Sequence, residues 1–309
     1  MSKRDLLTLL DLNTREIKAL LHKAVHLKER WRKGKHDFLL QGKTLGMVFH
    51  RPSIRTRVSF ETAMFQLGGS TVFLTAKDIQ PSPGETIFDI IRVLSRYLQG
   101  LVICGNEQGS ALEMASYASI PVINGFTNLY RPCQILSDLF TILEKKKEIE
   151  GLRIAWVGDG NNMAHSWINA AMRLEFTLVM ACPKEYSPRE DILNRAKEIA
   201  GDRIVVTSNP QEAAANADVI NTDAWMNTDQ EAESRTKLEA FKGFQINREL
   251  AAMARPDAIV LHRLPVHRDY EISSEMMDDP RSVILVQAEN KMHLHKALLS
   301  FLIGGELDR

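Results

Sequence analysis

Short apolar runs alternate with helix-spaced segments along almost the whole chain, and that alternation restricts it to one architecture. Thr44-Leu45-Gly46-Met47-Val48-Phe49 has the apolar character of a buried strand, and Val58 to Leu67 follows with helical spacing until Gly68-Gly69 stops it. The unit repeats as strand Thr71 to Thr75, helix Thr86 to Tyr97, strand Leu101 to Cys104, helix Ala111 to Ala118, strand Pro121 to Asn124 and a longer helix from Gln134 to Lys147. Such alternation predicts a parallel sheet covered by helices on both faces. The charged run Glu144 to Glu150, closed by Gly151, reads as the solvated end of that helix and as a domain boundary. A second series begins at Leu152 to Val157 and runs through a helix ending near Ala171. Strands follow at Thr177 to Ala181, Ile204 to Thr207, Asp218 to Thr222, Ala258 to Leu261 and Val283 to Val286, then a last helix from Lys291 to Ile303. The expected fold is therefore α/β, with two Rossmann-like parallel-sheet domains over 1–150 and 151–289.

At 309 residues the chain has length for about two domains of roughly 150 residues each. Its 39 Lys+Arg balance 39 Asp+Glu, which argues against a binder that works by bulk charge on nucleic acid or a membrane surface. Apolar runs such as Leu101 to Cys104 fall far short of the ~20 residues that cross a bilayer. The start Met1-Ser2-Lys3-Arg4-Asp5 has no apolar signal core, and the three cysteines at 104, 133 and 182 form no disulfide or zinc pattern. A reducing cytoplasm is the expected compartment.

In open parallel sheets ligands sit beyond the carboxyl ends of the strands. After the first strand comes His50-Arg51-Pro52-Ser53-Ile54-Arg55-Thr56-Arg57, in which Ser53 is placed to cap a helix whose first-turn N–H groups favour an anion. Arg55, Thr56 and Arg57 add charge and hydroxyl donors, so the loop reads as a phosphate or carboxylate site, or else as an ordinary capped helix. Gly158-Asp159-Gly160-Asn161-Asn162 resembles the start of a dinucleotide fingerprint but lacks its third glycine. Asp223 and the His262-Arg263-Leu264-Pro265 stretch follow strands and fall where substrate groups belong, although either also fits a turn. Of the nine histidines, His262 and His267 are not at helical ligand spacing, and His293 and His295 lie two apart, on different sides of the last helix. No metal is expected, and no nucleophile elbow or activated cysteine points to covalent catalysis.

Taken in order, these loops resemble the ornithine and aspartate carbamoyltransferase family over essentially the whole chain. Ser53-Ile54-Arg55-Thr56-Arg57 matches its Ser-x-Arg-Thr-Arg carbamoyl phosphate motif. Gln80 with Gly84-Glu85, Pro132-x-Gln134, Gly158 to Asn162, Asp223-x-Trp225, Leu264-Pro265 and Ala288-Glu289-Asn290 fall in the family's order. The resemblance is closest to its ornithine branch, through the Asp-Gly-Asn-Asn loop, Asp223-x-Trp225 and Phe241-x-x-Phe-Gln-Ile-Asn247. It implies that helix 290–309 packs back on a carbamoyl phosphate domain, that 151–289 binds the amino acid, and that the chain forms homotrimers or multiples of trimers.

Five places, six residues in all, depart from the pattern. Cys104 stands where the ornithine branch has an Arg, and Arg131 replaces the His of His-Pro-x-Gln. Asn227-Thr228 replaces a Ser-Met pair, Arg263 a Cys, and Lys291 an Arg. By resemblance, carbamoyl phosphate is held by Ser53, Ile54, Arg55, Thr56, Cys104, Arg131, Gln134, Arg263, Leu264 and Lys291, with Gln80 supplied by a neighbouring subunit. Arg55, Arg131, Gln134 and Arg263 take the catalytic roles, and Asn162, Asp223, Asn227 and Thr228 hold the amino acid. The implied reaction carbamoylates the side-chain amine of ornithine and gives citrulline, with no cofactor. The departures keep two alternatives open, a different amine or amino acid as acceptor and a non-catalytic paralogue.

Overall fold

A computed structural model of the chain describes residues 3–225 and 231–305, with side chains for all of these except 231–234. It divides into two compact units, Met1–Phe140 with Asn290–Arg309, and Thr141–Glu289. In the first, strands β1 (Thr44–Phe49), β2 (Ser70–Thr75), β3 (Gly100–Asn106) and β4 (Val122–Thr127) form a parallel sheet in the order β2-β1-β3-β4. The central strands β1 and β3 are nearly all buried while the edge strand β2 is largely not. That contrast is why the first two read as unbroken apolar runs.

Helices α1 (Thr14–Arg32), α2 (Ile54–Gln66), α3 (Ile87–Tyr97), α4 (Gln108–Tyr117) and α5 (Pro132–Lys146) follow in order. Helix α1 lies outside the elements expected from the sequence, although Asn13 and Glu16 form a reciprocal capping box at its start. Ile17, Leu20, Leu21, Ala24 and Leu27 then bury one face of it. Helix α2 begins at Ile54, four residues before the expected Val58, so the Ser-x-Arg-Thr-Arg motif is the helix's first turn rather than a loop leading into it.

The second unit carries β5 (Arg153–Val157), β6 (Thr177–Ala181), β7 (Ile204–Thr207), β8 (Val219–Thr222) and β9 (Ile259–His262), all parallel in the order β7-β6-β5-β8-β9. Its helices are α6 (Asn162–Arg173), α7 (Glu190–Ala200), α8 (Pro210–Ala214), α9 (Glu231–Ala240), α10 (Arg248–Ala252) and α11 (Ser274–Met277). Both units match the expected doubly covered parallel sheets.

The strand expected at Val283 to Val286 does not form. The chain pairs with β9 through the single Val260–Ser282 bridge, made by Val260 N–H to the Arg281 carbonyl and Val283 N–H to the Val260 carbonyl, then coils at once into α12 (Ile284–Leu302). A four-residue apolar run has too little length to distinguish a strand from the start of a buried helix. Among the described residues, no helix is long and apolar enough to cross a membrane.

Candidate functional site

In the first unit, the polar residues of interest lie where β1 and β3 end and where α2, α5 and α12 meet them. Ser53 occupies the N-cap position of α2 but makes no capping bond to the helix backbone. Its hydroxyl instead donates to Thr56 Oγ1 at 3.0 Å. Ser53 was expected to satisfy a first-turn N–H; here its side chain leaves those groups to another acceptor. Arg55 lies exposed in the same turn, where the positive end of the helix dipole disfavours a cation. A bound anion would reverse that penalty. The Arg57 guanidinium is engaged elsewhere, donating to Glu61 at 2.9 Å and stacking 3.7 Å above the Phe73 ring. Ile54 is 70% exposed, so only its backbone faces the turn.

Helix α12 closes this turn from the far end of the sequence. Lys291 donates to Thr56 Oγ1 at 3.0 Å, so one hydroxyl receives both Ser53 and a lysine 235 residues away in sequence. One turn on, His295 stacks on Phe60 at 3.7 Å, and its Nδ1 lies 3.1 Å from Ser59 Oγ. The Ser59 hydroxyl proton is already donated to the Thr56 carbonyl. Nδ1 must therefore be the donor, leaving Nε2 without a proton and, among the described residues, without a partner. Complete burial holds His295 neutral, well below the usual imidazole range, and the Lys291 charge adds to this. Burial, with Lys296, Lys28 and Arg32 nearby, pushes His293 down to about 3.

These two shifts make stability depend on pH. Both imidazoles stay neutral in the folded chain and take up protons near pH 6.5 once it unfolds, so stability is complete above that value and is lost as pH falls. Two such groups should remove about 4 kcal/mol between about pH 7.5 and pH 5. Urea unfolding at the two pH values checks this, and His295→Gln, which retains a donor for Ser59, should halve the fall.

Cys104 is fully buried near the end of β3, and its sulfur lies so close to Gly125 that a Cβ there would approach it to 2.4 Å. Burial pushes the Cys104 thiol up and neighbouring Cys133 adds to this, while Lys291 and Arg131 act against it. Cys133 is pushed up to about 12 by burial. Neither is a thiolate nucleophile. Arg131 precedes α5 with its guanidinium 4.5 Å from the Phe126 ring. Gln134 is buried in the first turn of α5, and one of its amide protons goes to Asp138 at 2.8 Å. The first unit thus gathers Ser53, Thr56, Cys104, Arg131 and Lys291. Gln80 lies outside this group, on the loop after edge strand β2, where it lines a cavity of about 270 Å³ with His50, Lys77 and Met114.

One residue the sequence reading missed is Lys28. It is 2% exposed, lies 5.6 Å from the Phe140 ring and donates to Asn290, immediately before Lys291. Its signal was a lysine on the apolar face of α1.

In the second unit, Asn161 caps α6 by accepting from the Met163 and Ala164 N–H groups, and Asn162 is its first helical residue. The glycines before it serve packing rather than phosphate. A Cβ on Gly160 would come within 2.2 Å of Pro188 N, and Gly160 N–H donates to the Tyr186 carbonyl at 2.7 Å. The approach a dinucleotide phosphate would need is occupied by backbone. Burial raises Asp159, against the pull of Lys237 Nζ at 2.5 Å. Asp223 leaves β8 and Arg263 leaves β9 side by side, and the guanidinium meets the carboxylate at 2.9 Å. Leu264 packs on the unit's apolar core. Asn227 and Thr228 lie outside the described residues.

The model of the carbamoyl-P binding domain of the aspartate/ornithine carbamoyltransferases matches residues 4–144, and that of their Asp/Orn binding domain matches 150–302. The chain belongs to the aspartate/ornithine carbamoyltransferase family. It is 50% identical over 301 residues to the ornithine carbamoyltransferase of Syntrophus aciditrophicus (strain SB), covering 97% of this chain and 100% of that protein. With the ornithine carbamoyltransferase of Anoxybacillus flavithermus it shares 47% over 303 residues, covering 97% of this chain and 96% of that protein. Among solved structures, ornithine carbamoyltransferase from Pyrococcus furiosus matches with a TM-score of 0.94 at 42% identity, covering 99% of this chain and 98% of that one. Within the first unit, Arg131 and Lys291 both lie near enough to Cys104 for their charges to act on its thiol.

Proposed function

We propose that this chain transfers the carbamoyl group of carbamoyl phosphate to the side-chain amine of ornithine, giving citrulline and phosphate. The observation that carries the reading is the uncapped first turn of α2, with Arg55 in it and Thr56 tied to Lys291. That turn offers an anion N–H groups that the N-cap side chain leaves uncapped, a hydroxyl and two cations in one place. Ser53, Ile54 (through its backbone), Arg55, Thr56 and Lys291 hold the phosphate. Arg131 and Gln134 donate to the carbonyl oxygen, with Arg131 supplying the guanidinium that Cys104 lacks.

Asn162, Asp223, Asn227 and Thr228 hold the acceptor, and Arg263 and Leu264 border the same region. The neutral amine attacks the carbonyl carbon, a C–N bond forms, and the oxyanion collapses to break the C–O bond to phosphate. Phosphate departs with the electron pair, and the amine's proton passes to it. Positioning and oxyanion stabilisation carry the rate.

On this reading, residues 1–150 with 290–309 are the donor domain and 151–289 the acceptor domain. Gln80 serves a neighbouring subunit of a homotrimer, a reading supported by its exposed loop after the sheet edge and by the apolar outer positions Ile54, Val58 and Phe65 of α2. The enzyme works in the cytoplasm, as part of arginine synthesis. The purified chain is expected to form citrulline from carbamoyl phosphate and ornithine and to have the mass of three chains, or a multiple, by light scattering. An absence of citrulline across pH 7 to 9 overturns the reading.

A further inference from the structure

The carboxylates of Asp159 and Asp223, at the carboxyl edge of the second sheet, are already matched by cations of the same chain. Asp159 has Lys237 at 2.5 Å. Asp223, 3% exposed, has Arg263 Nη2 at 2.9 and 3.1 Å from its two oxygens. It also accepts the Ala224 N–H at 2.9 Å. The Arg263 guanidinium is less completely used. Nη1 reaches only the Leu264 carbonyl at 3.5 Å, and Nε is buried with no partner among the described residues. The pair is thus a saturated acid beside an under-satisfied base, both rooted on adjacent strands whose ends Thr222 and His262 are in register.

A ligand that brings only a positive charge to Asp223 must evict Arg263 and leave that guanidinium unmatched beside it, which repels the ligand. One that brings only a negative charge strands Asp223 in the same way. A zwitterion can open the pair and match both halves, its ammonium on Asp223 and its carboxylate on Arg263. We propose that Arg263 is a specificity-determining residue, which restricts the acceptor to molecules carrying an α-amino-acid head group and rejects diamines of the same length. The proposal rests on the acceptor reading of Asp223 given above.

The test compares ornithine with putrescine, the diamine that lacks the carboxylate. Calorimetric binding to the full-length chain in the presence of phosphate is the first readout, because it does not require turnover. Carbamoylation of each amine is the second. The unaltered chain should prefer ornithine. Arg263→Met should narrow that preference by about tenfold or more, by weakening ornithine and admitting putrescine. Arg263→Lys, which keeps the charge, should retain most of it. A preference unchanged in Arg263→Met overturns the proposal, as does an unaltered chain that binds both amines equally or neither. Selective binding without citrulline from any form would overturn the transferase reading and leave the head-group proposal standing.

Discussion

Arg55→Ala is expected to lower kcat/KM for carbamoyl phosphate by about 100- to 1000-fold, the usual cost of removing one preorganised cationic donor from a developing anion. The melting temperature should barely move. Arg55 is exposed in the first turn of α2, where the dipole penalises a cation by about 0.3 to 1 kcal/mol, so the fold gains little from its charge. Arg57→Ala provides the contrast. Its guanidinium bridges Glu61 and the Phe73 ring, so that variant should lose about 1 kcal/mol of stability through the stacking and ion-pair terms. Its rate should change much less. Steady-state citrulline assays beside thermal melts of both variants check the pair. A kcat/KM for Arg55→Ala within threefold of the unaltered chain, or equal losses in both variants, would show that the first turn of α2 is not the phosphate site.

The separation of these arginines illustrates what the sequence could reveal. The interior strands were legible because a strand covered on both faces has no polar positions to interrupt it, as in Leu101 to Cys104. Val283 to Val286 has the same apolar, β-branched character but opens α12, whose remaining buried residues lie on several sides of the helix and so give no clean 3.6-residue period. Helix α1 carries its signals in Asn13, Glu16 and its apolar face, which is interrupted by the buried lysines Lys23 and Lys28. Local motifs such as Ser53 to Arg57 and Asn161 could be read because their chemistry lies within one turn of chain. The 56–291 and 28–290 contacts join residues more than 200 apart, and no residue spacing encodes them. The family resemblance supplied Lys291 as a site residue, but Lys28 lay on no quoted motif and became visible only with the packing of α1 against α12.

Cys104→Arg combined with Arg131→His should raise kcat by about tenfold to 100-fold over the starting chain, since it places a bidentate guanidinium at the end of β3. The single changes should fail for different reasons. Cys104 is fully buried against Gly125, and its thiol already senses Arg131 and Lys291. A guanidinium added there alone enters a crowded site beside two cations, and overpacking with like-charge repulsion should cost about 2 to 4 kcal/mol. Arg131→His alone removes the one guanidinium left for the carbonyl oxygen and should lower kcat by about 100-fold. In the pair, the imidazole carries no charge at pH 8 and relieves the repulsion, so both stability and rate should exceed the sum of the single effects. A double-mutant cycle on kcat and on unfolding free energy measures that coupling. Additive losses would mean that Arg131 does not supply the guanidinium for the carbonyl oxygen, and that positions 104 and 131 act independently.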